Sequence, residues 1–198
     1  RAGNHFRSLT ERIPFVCHGL SLNLGGAAPL DKEFLKRVKQ FINTHHISTY
    51  SEHLSYCADE GHLYDLMPIP FTEEAIKYVS SRIKQAQEIV GKRIAIENVS
   101  YYAAPGQELN EIEFILSVLK EADCDLLIDI NNIYVNSINH NYDAEDFMRA
   151  LPKERIAYAH IAGHYNEDKD LLVDTHGTDI IDPVWALLKK SYEYFDIF

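Results

Sequence analysis

The sequence is short of cysteine, of basic charge and of long apolar runs, and each shortage closes off a class of protein. Cys17, Cys57 and Cys124 are odd in number and scattered, with no CxxC pair. They supply neither a disulfide framework nor a Cys-type zinc site; a reducing, cytoplasmic setting is expected, with each thiol serving as a small buried apolar side chain. Nineteen Lys and Arg against 30 Asp and Glu leave a formal charge of -11. That is the wrong sign for nucleic acid, whose phosphates need clustered cations, but it does not prevent the protein from holding several divalent cations. No apolar run approaches the roughly 20 residues that cross a bilayer, so no membrane partner is expected. The opening RAGNHFRSLTERIP has neither an initiator Met nor an apolar signal stretch, which leaves secretion unsupported and places the expected N-terminus upstream. No GxGxxG follows the first predicted strand, which counts against a dinucleotide site. Internal repeats and low-complexity linkers are also missing.

What is present is a short apolar run followed by a helical pattern, repeated along a 198-residue chain that reads as a single domain. The runs are Ile13 to His18, Ile47 to His53, Arg93 to Glu97, Asp125 to Asp129 and Arg155 to His160, each read as a buried strand. Between them, Asp31 opens a helix whose apolar face is Phe34, Leu35, Val38, Phe41 and Ile42. Thr72 caps a second helix that buries Ile76, Val79, Ile83, Ala86 and Val90 and stops at Gly91. Asn110 with Glu113 forms a capping-box pattern, Asp143 starts a shorter helix, and Asp182-Pro183 opens the last one, whose Trp185 reads as core. Strands alternating with helices imply an α/β fold with a parallel sheet, either open or closed into a barrel.

The strand ends carry the chemistry. The apolar runs finish in His18, His53, Glu97, Asp129 and His160, and in parallel α/β proteins those ends meet on one face. One polar residue there can simply cap a loop; a full set of metal-capable types is a different observation. Buried carboxylates and imidazoles are costly unless paired or coordinated, and a divalent cation compensates them. Imidazole with carboxylate and no thiolate suits Fe, Mn or Zn. His164 follows His160 closely, Asp174 and His176 alternate in a segment read as extended, and Asn132 can offer a carbonyl oxygen, so each is a further candidate ligand. Tyr101 and Tyr102, just past Glu97, are candidates for the substrate cleft. His5, His45, His46, His62 and His140 read as solvated or structural.

The segments HGLSLNLG, SEHLSYC, MPIPFTEEA, IENVSYY, LLIDINNIYVNSINH, HIAGH and DTHGTDIIDPVWALL, in that order from about Ile13 to Leu188, resemble the multinuclear non-heme iron-dependent oxidative enzymes. That family includes the methanobactin-biosynthesis oxidase and was long a domain of unknown function. The resemblance implies a TIM (β/α)8 barrel related to xylose isomerases, with two or three iron ions at its top. It implies O2-dependent remodelling of cysteine or other residues in a ribosomally made precursor peptide, often with a partner protein that recognises the leader peptide. Carried onto matching positions, His18, His53 and Glu97 would hold one iron. Glu97 would bridge to a second held with Asp129 and His160, and Asn132, Asp174, His176 and His164 would serve a third.

Family members have further barrel strands at both ends, so this chain is expected to supply about five central βα units and to need flanking strands to close. Two rivals follow from the residues alone: a barrel isomerase or hydrolase using Mn, Mg or Zn, and a non-catalytic metal-binding or peptide-docking module.

Overall fold

The structure is a computed structural model that describes the backbone of residues 2–59 and 61–195, and the side chains of those spans except at 2–5 and 64. The solvated reading of His5 and the chain's closing residues 196–198 lie outside the described residues.

The chain opens with α1 (Ala2–Thr10), β1 (Cys17–Gly19) and α2 (Lys32–His45). β2 (Tyr50–His53) leads into a hairpin of β3 (Ser55–Ala58) and β4 (His62–Pro68), then α3 (Glu73–Val90). After β5 (Ala95–Glu97) and α4 (Glu111–Ala122), β6 (Asp125–Asp129) passes directly into α5 (Ile130–Asn139). α6 (Ala144–Ala150) and β7 (Ile156–His160) follow, then a second hairpin of β8 (Tyr165–Asp168) and β9 (Leu171–Val173), and finally α7 (Asp182–Tyr194).

α2, α3, α4 and α6 begin where their sequences provide a cap. Asp31, Thr72, Asn110 and Asp143 each accept a backbone N–H from the first turn of the helix they precede, and Asn110 with Glu113 completes a capping box. α3 ends at Gly91, whose φ of 84° places it in the left-handed region. Trp185 departs from expectation: it is 49% exposed. The apolar run from Val184 to Leu188 wraps more of the α7 circumference than one contact face can cover, and fully buried Val184 takes the inward position.

The main sheet has five parallel strands in the order β1-β2-β5-β6-β7. α2 packs on α3 and α3 on α4 along its outer side. Ile94, Ile96, Leu126 and Ile128 face these helices and join Val79, Ile83, Phe114 and Val118 in the core. The alternate residues must therefore line the inner side. The sheet is curled: the rings of His18 and His160 lie 5.0 Å apart although β1 and β7 are its two edges. In a flat sheet, four strand spacings would separate them by about 19 Å.

Candidate metal centre

Strand register assembles the inner face. His53 pairs with Glu97 between β2 and β5, and Asp129 pairs with His160 between β6 and β7. His18 lies beside Ser51, and Ser51 shares a face with His53 because strand side chains alternate. Curling then brings the carboxyl ends of β1 and β7 over Glu97.

Two groups of metal-capable atoms result, each with its atoms within 4.8 Å of one another: His18, His53 and Glu97, and Glu97, Asp129 and His160. Glu97 belongs to both. Its Oε2 lies 2.9 Å from His18 Nε2 and 3.1 Å from His53 Nε2, and its Oε1 lies 3.1 Å from His160 Nδ1. His53 Nδ1 donates to the Gly19 carbonyl, which turns the lone pair of Nε2 toward Glu97. Gly19 is itself required by space, since a Cβ there would meet Glu52 Oε1 at 2.0 Å.

The fit to a cation rests on what these groups leave unsatisfied. Asp129 Oδ2 and Asn132 Oδ1 are buried and accept no hydrogen bond, and Glu97 Oε2 meets only the imidazole nitrogens of His18 and His53. Buried oxygens are normally paired, so two left open beside a carboxylate ringed by imidazoles form a cage of metal-capable atoms. The protonation energetics agree. Burial alone would raise the Glu97 carboxyl, but the imidazoles of His160 and His18 outweigh it and bring it down to about 2. Asp129 is pushed up to about 7, first by burial and then by the charge of Glu97. A hydrogen bond to Glu97 raises His160, whereas burial lowers His53.

Beside these groups, His176 Nε2 lies 3.1 Å from Asp174 Oδ1 and 3.9 Å from Asp129 Oδ2. The Asp174 contact raises His176 to about 9. The segment is not extended, as the sequence reading had it: His176 has a φ of 51°, and this turn, rather than strand alternation, brings the two side chains together. Asn132 sits in the first turn of α5, donating its amide to the Asn98 carbonyl and leaving Oδ1 free. Asn98 in turn clamps Asp129, accepting its N–H and donating to its carbonyl. Asn132, Asp174 and His176, with His53, Glu97, Asp65, Ser100 and Tyr102, line a cavity of about 240 Å³.

Two expected members stand apart. His164 is buried one hydrogen bond behind the centre: its Nδ1 meets Asn131 Oδ1 at 2.7 Å, and the Asn131 amide donates to Asp174. Gly163 holds it there, because a Cβ would strike the Thr178 carbonyl at 2.0 Å. Tyr101 does not line the cleft. It is 4% exposed, stacked on His140 and turned toward Glu111 in the helical layer. Tyr102 alone faces the cleft, its hydroxyl accepting the Asp174 N–H. The sequence reading missed Ser51, Asn98, Asn131 and Tyr158, whose hydroxyl or amide side chains support the cluster; Ser51 and Tyr158 were signalled only by alternation with His53 and His160, Asn98 and Asn131 only by adjacency to Glu97 and Asn132.

A curled parallel β/α sheet with His, Glu and Asp at the carboxyl ends of its strands defines a barrel of the xylose-isomerase type with a metal-capable centre. Solved structures share this architecture. The IolI protein with a bound zinc atom matches with a TM-score of 0.67 and 13% identity over all of this chain and 70% of that one. A xylose isomerase domain containing protein from Salmonella typhimurium LT2 matches with a TM-score of 0.59 and 12% identity, over 97% of this chain and 69% of that one.

The chain belongs to the RiPP precursor modification enzyme family MbnB/TglH/ChrH, whose family model matches residues 1–198. Among its relatives, a UPF0276 protein of Shewanella sediminis is 62% identical over 96% of this chain and 69% of its own length. A UPF0276 protein of Pseudomonas aeruginosa PAO1 is 53% identical over 97% of this chain and 68% of its own. Among the described residues, no helix is long and apolar enough to cross a membrane.

Proposed function

We propose that this protein uses iron and O2 to oxidise a residue, cysteine by chemical preference, of a ribosomally made precursor peptide. The observation that carries the reading is the pair of buried acceptors Asp129 Oδ2 and Asn132 Oδ1, left without donors beside the Glu97 carboxylate and its three imidazoles. Family membership supports a precursor peptide as substrate. His18, His53 and Glu97 would hold one ion, Glu97, Asp129 and His160 a second, and Asn132, Asp174 and His176 a third. His164 would act through Asn131 on Asp174 rather than as a ligand. A leader-recognising partner protein and a reducing cytoplasmic setting complete the proposal; the three free cysteines are consistent with the latter.

Bound iron supplies Lewis acidity that deprotonates a coordinating thiol, and one-electron chemistry toward O2. The chain's own groups do the rest. Glu97, ionised at neutral pH, contributes negative charge to both groups, and the Gly19 carbonyl keeps the His53 Nε2 lone pair on the ligand side. Tyr102 and Ser100 hold Asp174 from its backbone and its carboxylate, which fixes one wall of the cleft through which a peptide side chain would enter.

The test is anaerobic loading of the full protein with Fe(II), elemental analysis, and reaction with a Cys-containing precursor peptide under O2 followed by mass spectrometry. More than one iron per chain and an oxidative mass change on the peptide are expected. Zinc alone, with no activity gained on Fe(II) reconstitution, would contradict the oxidase reading and favour a divalent-metal isomerase or hydrolase.

A further inference from the structure

The inference concerns residues behind His18 and rests on the metal reading above. Ser51 is fully buried, and its Oγ lies 2.8 Å from His18 Nδ1 and 2.5 Å from the Tyr158 hydroxyl, with the Cys17 carbonyl at 3.5 Å. Hydrogen positions along this row follow from its far end. A carbonyl only accepts, so His53 Nδ1 carries the hydrogen given to Gly19, and in the neutral ring His53 Nε2 is an acceptor. His18 Nε2, which faces that acceptor at 3.2 Å and the Glu97 Oε2 carboxylate oxygen at 2.9 Å, must then carry the hydrogen. The neutral His18 ring therefore accepts at Nδ1, from Ser51. Since Ser51 has a single hydrogen, Tyr158 must donate to Ser51. The order without metal is Tyr158 to Ser51 to His18, and His18 to Glu97 and His53.

A metal at His18 Nε2 forbids that order, because the coordinating nitrogen must bear a lone pair. The hydrogen has to sit on Nδ1, which then donates to Ser51, and Ser51 must donate onward to Tyr158 or to the Cys17 carbonyl. An amide or a carboxylate behind Nδ1 would fix one tautomer; hydroxyls accept either. We propose that Ser51 and Tyr158 are positioning residues that form a reversible hydroxyl relay, letting His18 exchange its hydrogen from Nε2 to Nδ1 as metal enters. The exchange balances: one proton leaves Nε2, one enters at the half-buried Tyr158 hydroxyl, and each hydrogen between them moves one place along the row. The ring's charge is unchanged.

The experiment uses the full chain labelled with 15N in histidine, and Zn(II) as a diamagnetic probe titrated while the His18 ring signals are followed. Expected are a hydrogen on Nε2 without metal and on Nδ1 with Zn(II). Ser51→Ala should weaken Zn(II) at His18 by about 10–100-fold, the range for removal of a histidine's outer partner. Ser51→Thr should restore the wild-type affinity, and Tyr158→Phe should fall between, since Ser51 keeps the Cys17 carbonyl. A Nδ1 hydrogen already present in the metal-free protein would overturn the relay, as would wild-type affinity in Ser51→Ala. Should Ser51→Ala not fold, the wild-type tautomers and Tyr158→Phe decide. Failure of the wild-type protein to bind Zn(II) at His18 would instead remove the metal reading, and the relay with it.

Discussion

Glu97 and Glu111 are almost equally hidden, at 2% and 5% exposure, yet the protein treats them in opposite ways. Glu111, in the first turn of α4, has a donor for each oxygen: the Asn136 amide on Oε1 and the Tyr142 hydroxyl on Oε2, both at 3.0 Å. It faces only neutral partners, and burial pushes it up to about 7. Glu97 meets only the nitrogens of three imidazoles and is held at about 2. A closed neutral network is how a fold accommodates a buried carboxyl for its own sake; an open, ionised one is how it prepares for a cation. On this contrast Glu111 is a structural acid and Glu97 the proposed metal ligand.

The largest effect should come from the open site. Glu97→Gln puts an amide where both groups share an oxygen, and metal affinity should fall by more than about 100-fold, beyond the loss typical for outer partners. Elemental analysis after dialysis against a weak chelator would show it; retention of metal at the wild-type level would erase the distinction drawn between the two acids.

Glu111→Gln should leave metal binding alone and alter stability instead. The folded-state value of about 7 exceeds the ordinary 4.5, so the native state binds this proton more tightly than the unfolded chain does. Its contribution is complete below pH 4.5, declines as pH rises and is gone above about 7, a change of about 3 kcal/mol. Denaturant unfolding from pH 4.5 to 8 should show that slope in the wild type and a flatter line in Glu111→Gln. Parallel lines would mean that Glu111 is not the closed counterpart of Glu97.

Asp129 gives a smaller effect. Raised to about 7 in the absence of metal, it holds a proton that a cation must displace. Metal affinity should therefore weaken by up to about tenfold per pH unit below 7, with proton release seen by calorimetry in buffers of different ionisation enthalpy. The smallest effect is expected from His45→Ala. That ring packs between Phe6 and Phe41, so its loss should cost about 1 kcal/mol of stability and no metal.

The strand ends were legible because two simple regularities coincide: apolar runs mark buried strands, and strands of a parallel sheet end on the same side. Caps were legible because they are local, as Asn110 and Glu113 illustrate. The hairpins were not. β8 reads Tyr-Asn-Glu-Asp and is exposed throughout, so no alternation of apolar residues betrays it. Tyr101 and Tyr102 could not both face the cleft, since neighbouring residues diverge, and nothing in the sequence said which would turn inward. Ser51 and Tyr158 meet across 107 positions of chain, a contact that exists only because the sheet curls. Local pattern carries elements and their ends; the support behind a ligand depends on curvature, which local pattern does not hold.

The central claim, that the carboxylates and imidazoles at the strand ends await metal, is tested most directly by anomalous diffraction at the iron edge from crystals of the full protein loaded anaerobically with Fe(II). The account predicts peaks bordered by Glu97 Oε2 with His18 and His53, and by Asp129 Oδ2 with His160. Fully loaded crystals with no anomalous density against Glu97, or with iron bound only elsewhere, would contradict it.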